Sequence, residues 1–254
     1  MLRILLSGCN GKMGREVTAA AAQSEVYTVV GGIDRYTQIQ NDYPVFSDAS
    51  EVNEKADVLI DFSNPALLPS LLDYAKSAKI PAVLCTTGYD KQQEEMIQHA
   101  SDVIPIFHSG NMSLGINLLI ELSKTAAKVL GNAFDIEIIE MHHNQKIDAP
   151  SGTALMIADE LSSVREEESR YTYDRHSQRK KRDPAEIGIH SVRAGTIVGE
   201  HEVIFAGSHE VVTLKHSAQS KEIFANGALN AARFLVGQSA GLYDMSDLLK
   251  KQEE

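Results

Sequence analysis

The densest run of reactive side chains is Glu140-Met141-His142-His143-Asn144-Gln145-Lys146-Ile147-Asp148-Ala149-Pro150-Ser151-Gly152-Thr153-Ala154. It leaves a strand-like segment and enters a helix-like one. His142 or His143 can exchange a proton near neutral pH. Lys146 adds a full positive charge. Pro150 breaks the backbone, and Ser151-Gly152-Thr153 reads as a helix start whose N–H groups suit a carboxylate. A metal site would need a third and fourth ligand besides the two histidines; Asp148 and Glu140 are nearby, but the lysine is a poor neighbour for one, so no metal is expected. Ser151 lacks the context of a nucleophile elbow. A plain strand-to-helix connection is the bland alternative. Acid–base chemistry on an anionic ligand is preferred because of a second motif upstream.

That motif is Gly8-Cys9-Asn10-Gly11-Lys12-Met13-Gly14. It follows one strand-like run and opens a helix. Glycines allow tight turning and close approach of backbone N–H groups to a diphosphate, and the helix N-terminus adds partial positive charge. The spacing is G-x-x-G-x-x-G, with Asn10 where a middle glycine is usual. Asp34 lies about twenty residues further on, at the end of the next strand, where an acidic residue takes the ribose hydroxyls. Arg35 beside it could pair with a 2′-phosphate, so NADH or NADPH is the expected cofactor. Lys12 is followed by Met13, which removes the Ser/Thr of a nucleotide-triphosphate loop. No Tyr has Lys four residues later, which excludes the short-chain dehydrogenases. Cys85-Thr86-Thr87-Gly88 and Ser109-Gly110-Asn111-Met112 also follow strands and are candidates to frame the nicotinamide. Cys9 and Cys85 are read as small packing residues rather than reactive thiols.

These residues need a scaffold, and the pattern supplies one. Apolar, β-branched runs at 3–7, 27–33, 58–62, 81–86 and 104–108 alternate with helical stretches at 13–23, 66–77 and 91–100. Residues 47–55 carry no clear pattern. Continuous apolar strands separated by helices predict a doubly wound, Rossmann-like parallel sheet of α/β class. Beyond residue 113 the style changes to a smaller α+β domain with a mixed or antiparallel sheet. It holds a helix at 114–130, a strand at 134–142, a helix from 151, and strands at 187–193, 196–205 and 210–216. Short turns between those last three predict antiparallel pairing. The charged stretch 165–182 reads as a solvated surface loop, with Glu166-Glu167-Glu168 beside its basic residues. A helix at 223–236 is expected to return to the first domain. The expected division is 1–113 with 222–254 for the dinucleotide, and 114–221 for substrate and oligomerisation.

Bulk properties narrow the function. The 254 residues are 43% hydrophobic and 23% charged, with a net charge of −11 and two cysteines. The negative charge disfavours nucleic-acid partners. No apolar run reaches the length of a membrane span. The scarcity of cysteine points to a reducing cytoplasm.

The run Glu140–Ala154 resembles the signature E-x-H-H-x-x-K-x-D-A-P-S-G-T-A of the 4-hydroxy-tetrahydrodipicolinate reductase (dihydrodipicolinate reductase) family. Gly8–Gly14, Asp61-Phe62-Ser63, Thr86-Thr87-Gly88, Asn111-Met112-Ser113, Arg193-x-Gly195-x-x-x-Gly199-x-His201 and Phe224-Ala225-Asn226-Gly227-Ala228 agree with it. Cys85 stands where many members have Gly, and Lys221 where Arg is frequent. The resemblance implies NAD(P)H-dependent reduction of a small cyclic dicarboxylate in diaminopimelate and lysine synthesis. It makes His142 the proton donor or acceptor and Lys146 a second donor. His143 and the Ser151-Gly152-Thr153 segment would hold substrate carboxylate. Gly8, Cys9, Asn10, Gly11, Lys12, Met13, Asp34, Arg35, Cys85, Thr86, Thr87, Ser109, Gly110, Asn111 and Met112 would line the cofactor. A homotetramer built through the second domain's sheet is also implied. The competing readings are another two-domain amino-acid or sugar dehydrogenase and a non-catalytic NAD(H) sensor.

Overall fold

The computed structural model describes residues 1–166 and 168–253; Glu167, in the charged stretch, lies outside the described residues. The chain divides into two compact units, 1–114 with 221–254, and 115–220.

The first unit runs β1 (Leu2–Ser7), α1 (Lys12–Ala22), β2 (Tyr27–Ile33), β3 (Val45–Phe46), β4 (Val58–Asp61), α2 (Leu68–Ala78), β5 (Ala82–Leu84), α3 (Lys91–Ser101) and β6 (Pro105–His108). The second contains α4 (Leu114–Leu130), β7 (Asp135–His142), α5 (Gly152–Ser163), β8 (Arg170–Thr172), β9 (Glu186–Arg193), β10 (Gly199–Ala206) and β11 (Val211–Ala218). The chain then returns to the first unit with α6 (Glu222–Leu235), β12 (Gly241–Tyr243) and α7 (Met245–Glu253).

The first sheet has the order β12-β6-β5-β4-β1-β2-β3, and every pair in it is parallel. Its central strands are apolar on both faces because both are covered. Ile4, Leu6, Val58, Ile60 and Val83 pack toward α1 and α6, while Leu5, Leu59, Ala82, Leu84 and Ile106 pack toward α2 and α3. The order reverses at β1, so the carboxyl ends of β1 and β4 flank the crevice where such sheets bind ligands.

Gly8 carries the chain out of β1 with φ +74°, and a Cβ there would lie 2.6 Å from the Phe62 carbonyl oxygen. At Gly14 a Cβ would fall 2.2 Å from the Gly8 oxygen. The loop therefore folds onto its own helix only because both positions lack side chains.

The second sheet has the order β11-β10-β7-β9-β8. Here the sequence expectation needs correction. The last three long strands do not form an antiparallel meander. β7 lies between β9 and β10, pairing parallel with β9 and antiparallel with β10. Only β10 and β11 form the expected hairpin. α4 and α5 cover one face through Ile116, Leu119, Ile138, Ile157, Leu161 and Val203.

The charged stretch is also more ordered than a solvated loop. Residues 173–181 are exposed, but the edge strand β8 forms just before them. Arg175, Lys180 and Arg182 make ion pairs with Asp135, Glu137 and Glu186. Beneath the surface, Glu186 carries a carboxylate that needs cations, and the loop supplies them.

Candidate active site

In the first unit the proposed cofactor residues gather at the carboxyl edge of the parallel sheet, after β1, β2, β5 and β6. The Asp34 carboxylate accepts from the Asn10 N–H at 3.0 Å and the Tyr36 N–H at 3.0 Å. A carboxylate has about four acceptor positions, so two remain for ribose hydroxyls. The Asn10 amide donates to the Tyr36 carbonyl and accepts from Asn41. This explains the polar residue in place of a middle glycine: Asn10 ties the loop to the segment after β2. α1 begins with Gly11 as its N-cap and no side-chain cap bond, which leaves the first turn to an external anion. Lys12 is exposed at that turn and Met13 half-buried. These features fit a dinucleotide.

Arg35 is exposed, with its guanidinium 4.7 Å from the Tyr36 ring centroid. Cys9 and Cys85 are buried free thiols. Burial, with Asp34 adding to it, pushes the Cys9 thiol up to about 11. Burial and then Asp61 push Cys85 well above its usual value. Both stay protonated, which suits packing rather than nucleophilic chemistry. Thr86 is buried and Thr87 exposed. Ser109 and Asn111 brace each other, the Ser109 hydroxyl donating to the Asn111 carbonyl at 3.0 Å. Asn111 and Met112 are buried and Gly110 is exposed.

In the second unit β7 ends at His142, and alternation puts Glu140 and His142 on the buried face. The Glu140 carboxylate is fully buried. Arg193, on the neighbouring strand, grips it with two N–H donors at 2.7 and 2.8 Å. The Ser151 N–H adds a bond at 3.1 Å, and His142 Nδ1 lies 2.6 Å from Oε2. Burial pushes Glu140 up, but Arg193 and its other donors outweigh this and hold it at about 2. An ionised carboxylate only accepts, so His142 Nδ1 carries the hydrogen and Nε2 is the nitrogen left with a lone pair in the neutral ring. Burial lowers the His142 pKa; Glu140 pulls it back up, and Lys146 and Arg193 push it down. Space for Nε2 depends on Gly199, where a Cβ would stand 3.1 Å from it.

The segment after His142 returns on itself. The Asn144 N–H donates to the Gly195 carbonyl, and Lys146 Nζ lies 2.9 Å from Asp148 Oδ2. His143 is half-buried. A cis Ala149–Pro150 bond precedes Ser151, the N-cap of α5. The Ser151 hydroxyl accepts from the Ala154 N–H and lies 3.1 Å from His201 Nε2. Ser151 is therefore committed to shaping the helix start. Gly152 stands beside it in open space, with Thr153 following.

Three participants were not assigned roles from sequence. Glu140 orients His142, Arg193 keeps Glu140 charged, and His201 packs edge-on to His142 with ring centroids 5.3 Å apart. Burial and the neighbouring His142 lower His201 to about 4, so it is neutral at physiological pH. Arg193 and His201 do occur in the run Arg193–His201, but they reach the site only through strand pairing, with His201 opposite Glu140.

Comparison with known proteins agrees along the whole chain. Residues 2–112 match the family described as dihydrodipicolinate reductase, N-terminus, and residues 115–249 match dihydrodipicolinate reductase, C-terminus. The 4-hydroxy-tetrahydrodipicolinate reductase of Caldanaerobacter subterraneus subsp. tengcongensis is 55% identical over 251 residues, 99% of each chain. That of Clostridium novyi is 47% identical over 252 residues, 99% of this chain and 100% of the other. The solved dipicolinate-bound dihydrodipicolinate reductase from Paenisporosarcina sp. TG-14 superposes with a TM-score of 0.80 at 25% identity, covering 96% of this chain and 97% of its own. Diaminopimelate dehydrogenase of C. glutamicum, at 15% identity and a TM-score of 0.55, shares the fold alone. The chain belongs to the dihydrodipicolinate reductase family.

Proposed function

We infer that the chain reduces 4-hydroxy-tetrahydrodipicolinate to tetrahydrodipicolinate with NADH or NADPH, releasing water, as a step toward diaminopimelate and lysine. The observation that carries this is the buried Arg193–Glu140–His142 arrangement, which fixes one tautomer of His142, in a chain matching the reductase family from end to end.

The dinucleotide, when bound, supplies the hydride. Loss of water from the cyclic hydroxy-imine leaves a conjugated ring. Reduction at C4 builds electron density on the neighbouring carbon, which takes a proton. His142 Nε2 delivers that proton, and Glu140 stabilises the imidazolium form that carries it. Lys146 is the second proton donor and a charge for substrate carboxylate. His143 and the Gly152-Thr153 helix start hold carboxylate. The Paenisporosarcina reductase binds dipicolinate, a planar dicarboxylate. A lysine and a helix start together match such a ligand. Gly8–Met13, Asp34, Arg35, Cys85, Thr86, Thr87 and 109–112 serve the dinucleotide.

The chain is also proposed to be a cytoplasmic homotetramer. Two free, buried thiols suit a reducing compartment. Among the described residues, no helix is long and apolar enough to cross a membrane. The tetramer reading is supported by the face of the second sheet opposite α4 and α5, which carries half-buried Ile139, Met141 and Ile204 and exposed Val192.

The decisive assay couples freshly generated hydroxy-tetrahydrodipicolinate to loss of NADH or NADPH absorbance. Turnover is expected with wild type, and His142→Gln and Lys146→Ala each lower it roughly 10²-fold or more while cofactor binding survives. No absorbance change with either cofactor removes the assignment. Near-full activity in both variants removes the catalytic roles.

A further inference from the structure

Asp61 ends β4 with its carboxylate fully buried. A buried charge is costly unless it is met by partners. Among the described residues it makes no ion pair; hydroxyls and one amide meet it instead. Oδ1 accepts from the Ser63 N–H at 3.1 Å and the Ser63 hydroxyl at 2.5 Å. Oδ2 accepts from the Thr86 hydroxyl at 2.6 Å and the Tyr89 hydroxyl at 3.4 Å. The Tyr89 ring in turn lies 5.5 Å from the His108 ring at the end of β6. One carboxylate thus knits together the segments that leave β4 and β5 and, through Tyr89, touches the end of β6.

Those segments occupy one side of the sheet. The glycine loop and Asp34 follow β1 and β2, on the side of the crevice that takes the diphosphate and the adenosine ribose. β4, β5 and β6 lie on the other side of β1, which is left for the nicotinamide. Thr86 turns its hydroxyl inward to Asp61, so what the loop after β5 can offer a ligand is its backbone and the exposed Thr87. A loop that binds through its backbone must be held rigidly in place.

We propose that Asp61 is a positioning residue for the nicotinamide half of the dinucleotide site, acting through the hydroxyls of Thr86, Ser63 and Tyr89. The inference rests on the reductase reading. It assigns Thr86 an indirect role and leaves the adenosine half independent of Asp61.

Calorimetric titration with NADH and with ADP-ribose, which lacks the nicotinamide, separates the two halves. The variants are Asp61→Asn, Thr86→Val and Thr86→Ser, with kcat and KM for NADH measured alongside. Thr86→Val keeps the shape and loses the hydroxyl; Thr86→Ser keeps the hydroxyl. Asp61→Asn and Thr86→Val are expected to weaken NADH roughly tenfold while ADP-ribose stays within about twofold. Thr86→Ser should hold NADH near the wild-type affinity. If Asp61→Asn does not fold, the Thr86 pair still decides the matter. Equal loss of both ligands, no loss of either, or failure of Thr86→Ser to retain NADH overturns the inference. Wild type that binds neither ligand overturns the reductase reading itself, and this inference with it.

Discussion

His142 cannot set its own protonation. Burial favours its neutral form, and the bond from Nδ1 to Glu140 is the largest influence in the other direction. Glu140 can do this only while ionised, which Arg193 secures. Glu140→Gln keeps the shape but removes the charge and can place an amide donor against Nδ1. The expected result is kcat lower by roughly ten- to a hundredfold. The sign of the pH effect follows from the same contacts. A reaction that needs protonated His142 loses rate as pH rises through its pKa. Removing the group that raises this pKa moves that alkaline limb to lower pH. A kcat profile from about pH 5 to 9 checks this, and an unmoved limb would detach the measured proton from His142. His142 and Lys146 stand out as candidates in the sequence because they lie close together in one run. Arg193 is 53 residues from Glu140, so its grip depended on strand order and was not visible.

Strand order is where local patterning stopped being informative. β1, β2 and β4 are continuous apolar runs because both faces of a parallel sheet are covered, and that signal is strong in sequence. β3 and β12 span two and three residues, too short for any periodicity. β9 and β10 are joined by a short turn and look like a hairpin, but β7 takes the place between them. Nothing local encodes that insertion. Part of what secures it is Arg182, in the stretch that reads as solvent-exposed charge. Its side chain is 17% exposed. It donates to Glu137 at 3.0 Å, Asp135 at 2.7 Å, the Ile136 carbonyl at 2.9 Å and the Glu186 carbonyl at 2.7 Å. These partners belong to β7 and β9, so one guanidinium clamps the parallel pair at its start. Arg182→Ala should destabilise the fold by about 1–3 kcal/mol in urea unfolding, because it takes this donor from the carbonyls of buried Ile136 and Glu186. Lys181→Ala, at an exposed neighbour, should stay within about 0.5 kcal/mol. Equal effects at the two positions would show that Arg182 is no clamp.

At the scale of the whole molecule, the second sheet presents two unlike faces. One is sealed by α4 and α5. The other carries Ile139, Met141 and Ile204, half-buried, and Val192, 40% exposed, across three adjacent strands. Around them stand Glu200 and Lys215, paired at 2.8 Å on neighbouring strands. An apolar strip within a charged surround is what self-association through a two-fold axis uses, since the same strip meets itself. The chain's net charge of −11 would oppose association through an acidic face, but beside this strip Lys215 pairs with Glu200 and stands opposite Glu202 in the β10–β11 register. The proposed tetramer therefore makes a definite prediction. Wild type at micromolar concentration should sediment at four times the 27.8 kDa chain mass. Ile139→Asp puts a charge at the centre of the strip, away from the Glu140–His142 face of β7, and should shift the distribution to smaller species. Its far-ultraviolet circular dichroism should remain that of wild type, which separates lost association from lost folding. Monomeric wild type, or an Ile139→Asp variant that sediments unchanged, would take this face out of the assembly.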